Sequence, residues 1–192
     1  MWSAPNNPEG ALSLTPRETW TSTSRSRPTT ANHGTRIVYA FETHVHNDFV
    51  SGARELTEQT GCQVGASASG GLLFPSIRLK EDDEFDLGEF KIRIIHTPGH
   101  TPESVSFMVE EQGQPRAIFT GGALMLGGAA RVDLLGTKIP PFLARWLHNT
   151  IHEKLLKLPD DVLVYPAHGG GSFVLPRPIV AVRYQPPSPG SA

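Results

Sequence analysis

Three times along this chain a histidine falls just past an apolar, strand-like run, and this recurrence constrains the fold more than any other feature. Arg36-Ile37-Val38-Tyr39-Ala40-Phe41 reads as a buried strand and runs straight into Glu42-Thr43-His44-Val45-His46-Asn47-Asp48. Phe90 to His96, where Ile92 and Ile94 alternate with charged residues, leads into Thr97-Pro98-Gly99-His100-Thr101. Val162 to Tyr165 leads into Pro166-Ala167-His168-Gly169-Gly170. Period-two alternation is the mark of a strand, and loops at strand ends are where sites are usually mounted.

The rest of the chain organises around these runs. A short helix is expected from about Phe49 to Thr60, ended by Gly61, and a short strand from Cys62 to Gly65. Phe85 to Gly88 and Phe90 to His96 read as a hairpin turning at Leu87-Gly88-Glu89. Ser104 to Glu110 and Ala117 to Thr120 are further strands, separated by the turn Gln112-Gly113-Gln114-Pro115, and a glycine-rich stretch runs from Gly121 to Ala130. Pro140 to Leu158 is the clearest helix: Phe142, Leu143, Trp146, Leu147, Ile151, Leu155 and Leu158 recur at spacings of three and four, and Pro159 stops it. Residues 1–32 show neither a period of 2 nor one of 3.6, so they are expected to be disordered. The domain is expected over 33–173, followed by a Pro-rich tail over 174–192.

Length and composition exclude several classes. At 192 residues the chain fits one domain, and 19 Gly with 17 Pro point to a loop-rich fold rather than a helical bundle. A formal charge of −2 lacks the basic excess that nucleic-acid binding needs. No apolar run approaches the ~20 residues that span a bilayer, and no secretory signal pattern opens the chain, so a reduced, cytoplasmic setting is expected. The single cysteine, Cys62, rules out an internal disulfide and multi-thiolate zinc sites. Any metal must therefore use histidine and carboxylate, while Cys62 itself reads as a buried inert thiol.

Residues i and i+2 of an extended chain point to the same side. His44 and His46 can therefore converge on one ion, with Asp48 next in the row. Pro98 fixes the backbone and Gly99 permits a sharp turn, so His100 leaves its strand at a set angle. His96 continues the strand alternation and reads as structural. His148 and His152 form an i, i+4 pair but lack the carboxylate of a zincin helix, so they read as surface residues. The acidic run Glu81 to Asp86 reads as a solvated hairpin face.

Thr43-His44-Val45-His46-Asn47-Asp48, Thr97-Pro98-Gly99-His100-Thr101, Phe119-Thr120-Gly121-Gly122 and Tyr165-Pro166-Ala167-His168 come in the order of the metallo-β-lactamase superfamily, which the chain resembles from about Ala31 to Phe173. The wording is most similar to the persulfide dioxygenase and glyoxalase II-like branch, and within it to bacterial proteins that often carry rhodanese domains. Gly127 to Leu134 resembles that branch's Gly-Arg-Thr-Asp-Leu stretch. The resemblance implies an α/β (α+β) fold, the αββα sandwich, with metal between the strand ends of two sheets. It implies His44, His46 and His100 as ligands of a first metal site, and Asp48 and His168 as ligands of a second. For the dioxygenases it implies one Fe(II) held at positions matching His44, His100 and Gly122, with open positions for a persulfide and O2. It places Arg131 near the substrate, where its fork can hold a carboxylate of glutathione; a surface ion pair is the competing reading.

The chain departs from the family in four places. The last histidine of the H-x-H-x-D-H pattern is Phe49, and the aspartate of Phe-Thr-Gly-Asp is Gly122, so a binuclear hydrolytic centre is not expected. Nothing in residues 1–32 resembles the family's opening strands, and the tail diverges after Phe173. The resemblance thus implies a sandwich lacking its first strands, a truncated or degenerate copy with one sheet edge open. What remains is a three-histidine site from His44, His46 and His100, to which Asp48 or Asp133 can add a carboxylate. The leading expectation is a persulfide dioxygenase-like oxidoreductase that converts glutathione persulfide and O2 to sulfite, using Fe(II), with Asp48 and Arg131 as catalytic residues and a rhodanese as possible partner. The alternatives are a Zn(II)-dependent, glyoxalase II-like thioester hydrolase and a non-catalytic module of the same fold.

Overall fold

Alternation along a strand sorts side chains onto two faces, and here it builds two sheets whose inner faces meet. The computed structural model describes residues 11–14, 36–45, 50–133 and 141–168. The first sheet runs β1 (Ala11–Leu14), β2 (Ile37–Phe41), β3 (Gln63–Ser67) and β4 (Ile77–Leu79), in that order and with every pairing parallel. The second runs β5 (Glu84–Asp86), β6 (Phe90–His96), β7 (Val105–Glu111), β8 (Gln114–Gly121) and β9 (Leu163–Pro166), antiparallel except for the β8–β9 pair. Parallel neighbours need a crossover, and α1 (Ala53–Thr60) supplies the one between β2 and β3.

Phe41 and Leu79 of the first sheet pack between the sheets against Ile92, Ile94, Val105, Phe107 and Val109 of the second. The Phe41 ring stacks on Phe107 at 5.2 Å between centroids and meets Phe85 edge-on at 4.9 Å. It also lies over Gly65, where a Cβ would fall 2.5 Å from the ring. A residue larger than glycine there would push out an aromatic ring whose burial contributes about 1.5–3 kcal/mol. On the outer face of the first sheet, Ala53 and Leu56 of α1 cover Ile37, Ala40 and Val64, with Cys62 buried among them as expected. On the outer face of the second sheet, Met108 and Ile118 pack on Leu155 and Val162. Helix, sheet, sheet and helix thus form four layers, the αββα sandwich.

Several elements differ from the sequence expectation. Ala11–Leu14, inside the stretch with no visible period, forms β1 and takes the edge of β2 that was expected to be open. The helix expected from Phe49 begins at Ala53. β4 had no signal, being only three residues long. β8 starts at Gln114 rather than Ala117, because Gln112 and Gly113 both take positive φ (52° and 75°) and close a two-residue hairpin. The long apolar-striped helix is α-helical only over Pro141–Asn149 (α2); it continues as a π turn, Thr150–Lys154, and a 3-10 turn, Leu155–Lys157. Leu143, Leu147, Ile151 and Leu155 are its buried face, while the Phe142 and Trp146 rings meet at 4.8 Å, tilted by 54°, on the exposed flank. Among the described residues no helix is long and apolar enough to cross a membrane.

Candidate metal centre

The ends of the two sheets are tied together at one place, and the quoted histidine motifs supply the ties. Thr43, just past β2, accepts a hydrogen bond from the Val105 N–H at the start of β7 (2.8 Å). Gly121, at the end of β8, accepts one from Ala167 (3.1 Å), the residue before His168, and Gly122 accepts one from Ala130 (3.0 Å). These backbone bonds gather the His44, His100 and His168 loops around the Gly121-Gly122 corner.

His100 is thrown off β6 by a turn that only glycine permits. Gly99 has φ +146°, and a Cβ there would lie 2.4 Å from Leu147 Cβ and 2.5 Å from Leu147 Cα. The turn therefore sits directly on the α2 backbone. Just beyond, the Thr150 hydroxyl donates to the Pro98 carbonyl at 2.8 Å, and Lys154 Nζ donates to the His96 carbonyl at 2.8 Å. The π turn falls on this stretch, a helical irregularity often found where a helix serves a site. His96 contributes its backbone here, its N–H donating to Glu81.

His44 and His100 come together as buried rings, 4.8 Å between centroids and inclined by 77°. His100 Nδ1 lies 2.7 Å from the Arg131 carbonyl oxygen. A carbonyl only accepts, so Nδ1 carries the proton, and in the neutral imidazole the lone pair is left on Nε2. This is how a backbone carbonyl orients a metal-binding histidine. His44 Nδ1 has the Thr43 hydroxyl at 2.8 Å. His168 is buried next to Ala167 at the same corner.

Gly122 bears directly on what this centre can hold. A Cβ at 122 would lie 2.5 Å from His100 Cδ2 and 2.9 Å from Cγ. The imidazole occupies the space from which an aspartate side chain at 122 would project, so the residues present do not fit a carboxylate-bridged pair of metals. What the corner does bring together is the pair of rings of His44 and His100. Among the described residues no three His, Cys, Asp or Glu side chains are grouped to hold a metal. His46 and Asp48, expected to complete the set, lie outside the described residues, as does Phe49.

The Arg131 side chain pairs with its near neighbour Asp133. Its Nε and Nη2 both donate to the Asp133 carboxylate, Nη2 to Oδ2 at 2.6 Å. This pairing raises the guanidinium pKa and lowers that of Asp133. Both side chains remain partly exposed, and the Arg131 main chain is what touches His100. His148 and His152 stack on the exposed helix face at 4.3 Å, as expected of surface residues.

A cleft opens onto His44. Its walls include Val45, Ala66, Leu72 and Phe74, and its charged lining residues are Glu42 and Glu103. Glu42 is buried and accepts a hydrogen bond from the Ser51 hydroxyl; burial raises its carboxyl pKa and that bond opposes the rise. Glu103 accepts the Val45 N–H at 3.1 Å. None of Glu42, Ser51 and Glu103 stood out in the sequence. Glu42 had a usable signal, since it lies two before His44 in the same extended row; Ser51 and Glu103 reach the cleft only through the fold.

A four-layer sandwich that gathers histidines at the strand ends of its two sheets defines a class of metal-centre proteins rather than a single enzyme. Residues 21–168 match the Metallo-beta-lactamase superfamily, and the chain belongs to it. It is 33% identical over 143 residues to the mitochondrial persulfide dioxygenase ETHE1 of Homo sapiens, covering 74% of this chain and 53% of that one. It is 33% identical over 137 residues to a hydroxyacylglutathione hydrolase of Brucella ovis, covering 70% of this chain and 49% of the relative. The chain therefore spans about half the length of these relatives. Among solved structures it is similar to ETHE1 from Myxococcus xanthus, with a TM-score of 0.72 and 28% identity over 89% of this chain and 70% of that one. A metallo-beta-lactamase from Staphylococcus aureus aligns at a TM-score of 0.70 and 28% identity, over 86% of this chain and 50% of that one.

Proposed function

We propose that this protein is a mononuclear, metal-dependent oxidoreductase of the persulfide dioxygenase type, which oxidises the outer sulfur of a small-molecule persulfide to sulfite. The carrying observation is the meeting of two buried imidazoles, His44 and His100, beside a glycine whose side-chain space the His100 ring fills. That arrangement favours one ion over two, and so favours the dioxygenase reading over the binuclear hydrolase one. His44 and His100, with His46 as the proposed third ligand, hold the ion; Asp48 and His168 are proposed to lie around it. Bound Fe(II) supplies open positions for a thiol sulfur and O2.

The chain's own residues do the positioning. The Arg131 carbonyl holds His100 with Nε2 as its lone-pair nitrogen, and Thr43 steadies His44. Both rings are buried. The cleft on His44 admits the persulfide. The overall reaction is RSSH + O2 + H2O giving RSH, sulfite and two protons: the S–S bond breaks, and the outer sulfur gives four electrons to O2.

The test is the metal content of anaerobically purified protein, wild type beside His44→Ala and His100→Ala, followed by persulfide-dependent O2 uptake. Near-stoichiometric iron that both variants lose, with O2 uptake by the wild type alone, is expected. Zinc together with hydrolysis of lactoylglutathione would support the thioesterase reading instead. A folded protein that takes up no metal would overturn both.

A further inference from the structure

His148 and His152 stand four residues apart on the exposed side of the last helical stretch, where residues i and i+4 share a face. The π turn Thr150–Lys154 begins between them. A π turn is wider than an α turn, so it brings residues four apart closer to eclipsed than α geometry does. The two rings accordingly stack, with centroids 4.3 Å apart and planes inclined by 30°. Two exposed imidazoles held this close are a donor pair for divalent ions that favour imidazole, such as Zn(II), Ni(II) and Cu(II). Zn–N bonds of about 2.0–2.1 Å place two ligand nitrogens of a tetrahedral ion about 3.3 Å apart. Rings with centroids at 4.3 Å reach that separation by small side-chain rotations.

The surroundings suit a cation and connect the pair to the rest of the molecule. Lys157 holds the Glu153 carboxyl below its usual range, and both imidazoles add to the effect, so this carboxylate lies within electrostatic reach of the pair. Thr150 falls between the two histidines and Lys154 two residues beyond them. Their side chains donate to the Pro98 and His96 carbonyls, each at 2.8 Å, in the loop that leads to His100. We propose that His148 and His152 form a second metal site, separate from the His44 and His100 corner. It is an exposed chelate for one divalent first-row ion such as Zn(II), with water completing the coordination. An ion bridging the two rings braces the start of the π turn and, through Thr150 and Lys154, the loop of His100.

The test is calorimetric titration of the tag-free, full-length protein with Zn(II) alone, comparing wild type with His148→Asn, His152→Asn and the double variant. His44 and His100 are the same in all four proteins, so binding there cancels in the comparison. Loss of either ring leaves a single ligand and removes the high effective concentration of the second. Each single variant should therefore lose an equivalent of bound Zn(II), or weaken it about tenfold or more, and the double variant should lose no more than either single one. Amide hydrogen exchange over residues 150–155 should slow on adding Zn(II) to the wild type and not to the double variant. Circular dichroism checks that the variants fold, as substitutions at two exposed positions should allow. The same Zn(II) stoichiometry and affinity in all four proteins, losses in the two single variants that merely add, or exchange that Zn(II) leaves unchanged in the wild type would each overturn the proposal.

Discussion

Gly99→Ala would put a methyl group where the backbone of α2 already lies. The new Cβ would fall 2.4 Å from Leu147 Cβ, 2.5 Å from its Cα and 2.7 Å from its N, at a φ of +146°. Two costs add. The backbone conformation, held by a residue other than glycine, costs about 1–3 kcal/mol. The overlap is with main-chain atoms of a helix, which cannot rotate away as a side chain can, and overpacking of this kind costs about 1–3 kcal/mol more. The sum, about 2–6 kcal/mol, is a large share of the ~5–15 kcal/mol that holds a domain folded. Gly61→Ala is the matched control, because Gly61 also has positive φ (+75°) but nothing lies within 4 Å of where its methyl group would sit. It carries the backbone cost alone, about 1–2 kcal/mol. Urea denaturation of wild type and both variants should therefore show Gly99→Ala losing at least about 1 kcal/mol more than Gly61→Ala, with the slope unchanged. Losses equal within about 0.5 kcal/mol would mean that the His100 turn does not rest on α2 as described, and the account of how His100 is aimed would fall.

Gly122→Ala meets a side chain rather than backbone, since its Cβ would fall 2.5 Å from His100 Cδ2. The ring can swing aside, so stability should fall modestly while affinity for Co(II), read by absorbance titration, falls at least about tenfold, the range seen when a metal ligand's supports are disturbed; unchanged affinity would refute the packing argument. Thr150→Val removes the hydroxyl that donates to the half-buried Pro98 carbonyl, and losing that hydrogen bond should cost about 0.5–1.5 kcal/mol in urea denaturation. Burial raises the Glu42 carboxyl pKa above its ordinary value. The folded state thus binds its proton more tightly than the unfolded one, and the associated stability is present below pH 4.5 and is lost as pH rises through the raised value. Glu42→Gln, which keeps an acceptor for Ser51, should in metal-free protein gain on wild type as pH rises from 4 to 8; parallel stability profiles would contradict this.

The strands were legible because period-two alternation is a local property: Ile92 and Ile94 already announce which face of β6 is buried, and the structure buries both. The histidine corners were legible for a related reason, since a strand end followed by Pro-Gly-His dictates where the chain must turn. β1 was not legible. Its four residues, Ala11–Leu14, are too few to show a period, and their pairing with β2 depends on a partner more than twenty positions away. Nor was the break in the long helix, because its apolar stripe is continuous; the π turn accompanies contacts from Thr150 and Lys154 to carbonyls of the His100 loop.

By itself the sequence determined the αββα class, the histidines that meet at the sheet ends and the absence of a carboxylate at 122. All of these follow from residue identity and short-range order. Only the tertiary structure decided what stands in the place of that carboxylate, where the Arg131 fork points and which acids line the cleft on His44. His100 reaches Gly122, and Glu103 reaches Val45, across strands distant in sequence. Such contacts are set by how two sheets dock, and the docking energy is shared among the core residues between them rather than written in any one segment.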